Sequence, residues 1–128
     1  MRTYSPDGWV CLQFSYDDGQ PTFFKIFGGW AGGYTSGDSW RLSSGFYDTE
    51  EAYYDDDMVH IPQASGSTYS IRPEGQDYLT MYNRGILKNL LGDAEKARSA
   101  GAPVNIDVVK LDLSSIDVLR EQFKSFLE

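Results

Sequence analysis

The chain has 128 residues, of which 41% are hydrophobic and 15% aromatic, a single cysteine, and a formal net charge of -8. This composition suits one soluble domain, residues 1–128, with a core that needs neither disulfide nor metal, and it excludes collagen, coiled coil and disorder. The acidic balance opposes direct nucleic-acid contact, which draws its affinity from lysine and arginine. With no apolar run near about 18 residues and no leader-like start, a cytoplasmic protein without membrane contact is expected.

The charge is unevenly spread. Residues 1–77 carry 12 acidic and 4 basic side chains and residues 78–128 carry 7 of each, so the whole excess lies in the first part. That part also holds 15 of the 19 aromatic residues and 10 of the 13 glycines, a mixture that predicts short strands and tight turns. Val10, Leu12, Phe14 and Tyr16 alternate with Cys11, Gln13 and Ser15, the period of a half-buried strand. Asp17 to Pro21 supplies a turn, and Phe23 to Phe27 returns as the second arm of a hairpin with Phe24 and Ile26 on one face. Ser39–Leu42, Met58–Ile61 and Thr68–Arg72 read as further strands.

The part from residue 78 reads as helix, strand, helix. Asp77 is expected to cap a helix with Leu79, Tyr82, Ile86, Leu87, Leu90 and Leu91 on its apolar face, ending at Gly92. Asp93 then caps a second, short helix to Ala100, closed by Gly101 and Pro103. A strand follows from Val104 to Leu111. Ser114 with Asp117 forms a variant capping box for a last helix whose inner face is Ile116, Leu119, Phe123 and Phe126. The predicted fold is α+β, an antiparallel aromatic-rich sheet of about five to six strands against two or three C-terminal helices.

Three stretches stand out chemically. The segment GGWAGGYTSGDSWRLSSG, residues 28–45, sets six glycines among Trp30, Tyr34 and Trp40. It lacks the Lys-Ser/Thr pair and the spacing of a phosphate loop, so its glycines are expected to let tight turns pack beneath buried rings. Arg41 is the only basic side chain between Ile26 and Ile71. Asp38 is its expected bidentate partner, and no second basic group is in view to help Arg41 anchor a substrate. Finally, Asp48, Glu50, Glu51, Asp55, Asp56 and Asp57 place six carboxylates in ten residues, interleaved with Tyr47, Tyr53 and Tyr54. Without an EF-hand pattern this is either a solvated loop or a contact surface, where tyrosines give area and carboxylates steer a basic partner. No cofactor and no metal are expected.

Gly37-Asp38-Ser39 resembles the nucleophile segment of the GDSL esterases, and Asp57-Met58-Val59-His60 matches that family's Asp-x-x-His pair. The resemblance would make Ser39 a nucleophile, but the pair follows by only about twenty residues in a chain too short for that architecture. The glycine-rich segment and SGSTY at residues 65–69 look like pieces of small prokaryotic and phage-associated proteins without an assigned family. That resemblance covers mainly residues 26–72 and implies a mobile-element setting, where small acidic proteins such as anti-CRISPRs occlude nucleic-acid-binding defence complexes. The sequence thus points first to a non-enzymatic binding module whose partner is a basic protein or a protein–nucleic-acid complex. Its contact residues would be Asp48, Glu50, Glu51, Tyr53, Tyr54 and Asp55 to Asp57, with Trp30, Asp38, Trp40 and Arg41 as a structural loop. The alternatives are a small-ligand module or hydrolase centred on Asp38, Ser39, Arg41 and His60, and a virion or secretion assembly component.

Overall fold

The computed structural model describes residues 2–32 and 37–127. Among them are the strands β1 (Thr3–Tyr4), β2 (Gly8–Tyr16), β3 (Phe23–Trp30), β4 (Ser39–Leu42), β5 (Tyr53–Asp55), β6 (Met58–Pro62), β7 (Thr68–Ile71) and β8 (Val104–Val109). Two helices, α1 (Met81–Ser99) and α2 (Ile116–Phe126), flank β8, and a single 3-10 turn occupies Pro73–Gly75. The class is α+β, but the one antiparallel sheet that was expected is two sheets of four strands. Their orders are β1-β7-β6-β5 and β4-β3-β2-β8, and β1 runs parallel to β7.

The reason lies in β2, which is apolar on both faces in its first half. Trp9 and Cys11 face one way and, with Phe24 and Ile26 of β3, pack against Val59, Ile61, Tyr69 and Ile71 of the other sheet and Leu119 and Phe123 of α2. Val10 and Leu12 face the other way, with Phe27, onto Leu87 and its neighbours Ile86, Leu90 and Leu91 of α1. A sheet with two apolar faces must be covered twice. The second sheet and α2 form one cover and α1 the other, so the simple alternation read at β2 gives way to a step: Gly8 to Leu12 are all buried and Gln13 to Tyr16 all half-buried.

The helix boundaries also moved. Asp77 caps nothing: it has φ +64°, its amide bonds the Trp9 carbonyl at 2.8 Å, and its carboxylate pairs with Lys110. Thr80 is the N-cap, its Oγ1 accepting from the Asn83 amide at 3.1 Å. The helix then runs unbroken through Gly92 and Asp93, merging the two that were predicted. Both residues sit on the exposed face, where glycine costs about 1 kcal/mol and the packing of Leu87, Leu90 and Leu91 carries the helix through. It stops where Gly101 takes φ +104° ahead of Pro103. At α2, Ser115 rather than Ser114 caps, through the Val118 amide at 3.1 Å.

The two sheets are stitched together at one seam. Beyond β4 the chain still follows β3, with Ser43 bonded to Ile26 and Phe46 to Phe24. Between them, Gly45 at φ +109° turns its amide to Gln63 Oε1 and its carbonyl to the Ala64 amide, in the β6–β7 turn. Depressions open on both sides of this seam.

Candidate functional site

All six carboxylates of the acidic stretch are exposed, and none joins an ion pair among the described residues. The fold divides them. Asp48, Glu50 and Glu51 line a groove of about 400 Å3 with Tyr47 and Pro62 on one side of the seam. Asp48 Oδ1 accepts from the Glu50 amide at 3.0 Å, and Arg120 of α2 donates to the carbonyls of Glu50 and Ala52 at 3.3 and 3.1 Å. These bonds fix the backbone and leave the carboxylates in water. Asp55 to Asp57 lie at the far end of β5, a strand length of roughly 10 Å away. Asp56 and Asp57 have φ +52° and +60°, as the two central residues of a type I′ hairpin between Asp55 and Met58 require. Two of the aspartates therefore have a conformational reason to be there, since Asp tolerates this region better than most residues. Of the three tyrosines, Tyr47 and Tyr53 are 57% and 50% exposed, whereas Tyr54 packs inward on the core.

On the other side of the seam the chemistry reverses. Arg41, on the edge strand β4, makes no ion pair with Asp38, which instead accepts the Gly32 amide at 3.2 Å. Its guanidinium lies 4.5 Å from the centroid of the Tyr4 ring, and that of Arg2 lies 5.8 Å from the same ring. Both line a cleft of about 450 Å3 with Lys25, Tyr69 and the serines 43, 44, 65 and 67, and no carboxylate lines it. Three of the four basic residues in the first 77 thus share one depression. Tyr69 is 1% exposed and among the described residues its hydroxyl has no partner within 3.5 Å. Burial pushes its phenol up to about 12, against the pull of the Arg41 guanidinium, which acts on it by charge and as a nearby hydrogen-bond donor.

The glycine-rich stretch is less buried than expected. Trp40 is 39% exposed, stacked on Phe27 at 5.6 Å, because β4 is an edge strand. Trp9 is the fully buried tryptophan, its Nε1 donating to the Arg72 carbonyl at 2.8 Å. Trp30 is half-buried and donates to the Ser5 carbonyl at 3.1 Å. Tyr34 lies outside the described residues.

Asp38, Ser39, Arg41 and His60 are not brought together as a hydrolase would need. Ser39 is exposed on β4, whereas His60 sits on β6 of the other sheet, stacked on Tyr53 at 4.8 Å. The His60 ring bonds Ser70 Oγ through Nδ1 at 2.7 Å and the Asp55 carbonyl through Nε2 at 3.2 Å. A carbonyl only accepts, so Nε2 carries hydrogen, and in that tautomer Nδ1 accepts a hydrogen bond from the Ser70 hydroxyl. Ser70 is 2% exposed, beyond the reach of an ester. Cys11 is buried in the core and burial raises its thiol pKa, which makes it a packing residue. Among the described residues no group of three His, Cys, Asp or Glu side chains could hold a metal ion, and no helix is long and apolar enough to cross a membrane.

Comparison with protein-family models, with curated proteins and with solved structures finds no match. The site therefore stands on its own geometry. Sequence reasoning missed Arg2, Tyr4, Lys25 and Tyr69, which join Arg41 from four other positions in the chain. The one available signal was the SGSTY segment, which supplies Ser65, Ser67 and Tyr69 to the cleft.

Proposed function

We propose that this chain acts by stoichiometric binding, its acidic, tyrosine-bearing edge docking on a basic protein or protein–nucleic-acid complex. The observation that carries this reading is a concentration of charge without internal compensation. Among the described residues Asp17, Asp77, Asp117 and Glu121 each meet a lysine or arginine, and the six carboxylates from Asp48 to Asp57, like eight others, meet none; what sets the six apart is that ten consecutive positions gather them, all exposed, with no basic residue between. Unpaired charge beside exposed Tyr47 and Tyr53 supplies both long-range steering and contact area. The groove holding Asp48, Glu50 and Glu51 would receive a lysine or arginine side chain, and Tyr53 would pack beside the Asp55–Asp57 tip. In its narrower form, the partner is a nucleic-acid-binding defence complex and the acidic edge occupies its phosphate-binding surface. Charge alone supports that form.

The test pairs the wild-type chain with Glu50→Lys/Glu51→Lys, which reverses two exposed charges and touches no hydrogen bond made by a side chain. A partner captured at low ionic strength by wild type should be lost by the variant, because like charges across a contact cost several kcal/mol. Its affinity should fall as salt rises toward screening lengths of about 8 Å. Equal capture by both chains refutes the acidic edge as the contact surface. Displacement of the captured partner by an oligonucleotide is the further result that the narrower form requires.

A further inference from the structure

We propose that the cleft between Arg2, Arg41 and the serine-rich β6–β7 turn is a binding site for the phosphoryl group of a small phosphate monoester. The inference is independent of the acidic edge. Its first support is electrostatic: two guanidiniums lie within 6 Å of the Tyr4 ring centroid, and among the described residues neither has a carboxylate partner. Two like charges held on one phenol ring repel each other, and an anion between them removes that cost. Arginine's planar fork matches phosphate oxygens in pairs, a geometry lysine does not offer.

The second support is the Tyr69 hydroxyl, buried in a residue that lines the cleft: Arg41 is near enough to donate to its oxygen, and among the described residues its own hydrogen has no acceptor. A buried hydroxyl left unsatisfied costs stability unless something binds it, and orphans of this kind collect at binding sites. Its position is built from below. Tyr69 pairs with Tyr4 across the parallel β1–β7 ladder, with rings 5.2 Å apart. Gly28 lies beneath it, where a Cβ would come within 3.5 Å of the Tyr69 ring and 3.0 Å of Pro6. The third support is a hydroxyl relay in the same lining: Ser44 Oγ to Ser65 Oγ at 2.9 Å and Ser65 Oγ to Ser67 Oγ at 2.9 Å. Such a chain turns its last hydrogen toward an acceptor that arrives.

The volume selects the ligand class. About 450 Å3 exceeds what inorganic phosphate fills and falls within the range of about 300–1,000 Å3 typical of small-molecule sites. The Leu42 side and the Lys25 stem leave room for the organic part of an ester.

Titration calorimetry on the full chain, with phenyl phosphate, inorganic phosphate and sodium chloride at matched ionic strength, reads the site directly. Phenyl phosphate should bind saturably with one site per chain and more tightly than inorganic phosphate. Arg2→Gln and Arg41→Gln should each weaken it by about tenfold or more, the size of one charge-assisted hydrogen bond. Tyr69→Phe should weaken it several-fold while melting no lower than wild type, an outcome that a purely structural tyrosine would not give. Glu50→Lys/Glu51→Lys should retain it, which separates this site from partner capture at the acidic edge. The proposal is overturned if phenyl phosphate gives no saturable binding, if inorganic phosphate binds and the ester does not, or if binding survives unchanged in the Arg2→Gln/Arg41→Gln double variant. Concentration-dependent self-association through the same arginines, without phosphate binding, would overturn it as well.

Discussion

The arginine cleft and the acidic groove share one wall, the seam of Ser44–Gly45 and Ala64–Ser65, yet they differ in nearly every physical respect. The groove draws its charge from Asp48, Glu50 and Glu51, neighbours in sequence, held by local turns and by Arg120 reaching backbone carbonyls. The cleft draws its charge from Arg2 and Arg41, which only tertiary structure brings together, while the Lys25 ammonium lies over the Phe14 and Phe23 rings. A net charge of -8 describes the field far from the molecule, and it governs diffusional encounter. It does not govern a cleft whose lining excludes carboxylates. A chain whose net charge repels nucleic acid at long range can therefore hold a phosphoryl group in one cleft.

The most severe way to break the comparison is to remove what both regions rest on. Trp9→Ala empties the core between the two sheets and should cost about 3–5 kcal/mol, taking both sites with it. Trp40→Ala removes an edge-strand ring that is 39% exposed and stacked on Phe27, and should cost less, about 1–3 kcal/mol. Thermal or denaturant unfolding of the pair checks the order, and a Trp40 variant as unstable as the Trp9 variant would make β4 part of the core. A milder change separates the regions. Arg120→Ala deletes the bonds to the Glu50 and Ala52 carbonyls and should cost about 1.5–3 kcal/mol. Hydrogen exchange at the Ala52 amide should quicken while amides around Ser65 to Tyr69 stay protected. Equal loosening on both sides of the seam would show the regions to be mechanically coupled.

How far these features were legible in the sequence follows from how local they are. The β2–β3 hairpin, the β8 strand and the inner face of α2 are set by short-range periodicity and were readable from it. The division into two sheets was not, because it depends on Trp9 and Cys11 facing an apolar layer that residues 59–71 provide. Periodicity at β2 registered the stronger face, Val10 and Leu12, and discounted the other. Asp77 failed as a cap because a tertiary bond to Trp9 and a partner in Lys110 outweighed a local preference. In the candidate sites the acidic stretch was visible because its residues are consecutive. Arg41 looked solitary only because its companion at the Tyr4 ring lies at position 2.

A substitution at the hairpin tip sharpens the reading of the acidic side. Asp56→Asn/Asp57→Gly keeps the left-handed backbone and suits a type I′ turn better than two aspartates do. Stability should rise by up to about 1 kcal/mol as two repelling charges disappear. If partner capture also persists, the tip aspartates serve the turn and the groove carries the contact; if stability falls, the carboxylates make bonds that the turn geometry does not reveal.

The smallest expected effect is an alkaline one, and it isolates the arginine side. The Tyr69 phenol is pushed from 10.0 up to about 12, chiefly by burial, so the folded state holds its proton more firmly than the unfolded chain does. A folded pKa above the unfolded one contributes stability that is full below pH 10 and lost as pH climbs from 10 toward 12. The buried Cys11 thiol acts in the same direction, so wild type should lose stability across the alkaline range for two reasons. Tyr69→Phe removes one of them. Its denaturation midpoint should match or slightly exceed that of wild type at neutral pH, because the orphan hydroxyl is gone, and the advantage should widen between pH 10 and 12. Phosphate ester bound in the cleft would satisfy the Tyr69 hydroxyl by accepting its hydrogen, so phenyl phosphate should raise the wild-type midpoint at neutral pH and do less for Tyr69→Phe. Parallel alkaline curves for the two proteins would mean that Tyr69 ionises as freely in the fold as in the unfolded chain, and would remove the buried donor from the cleft.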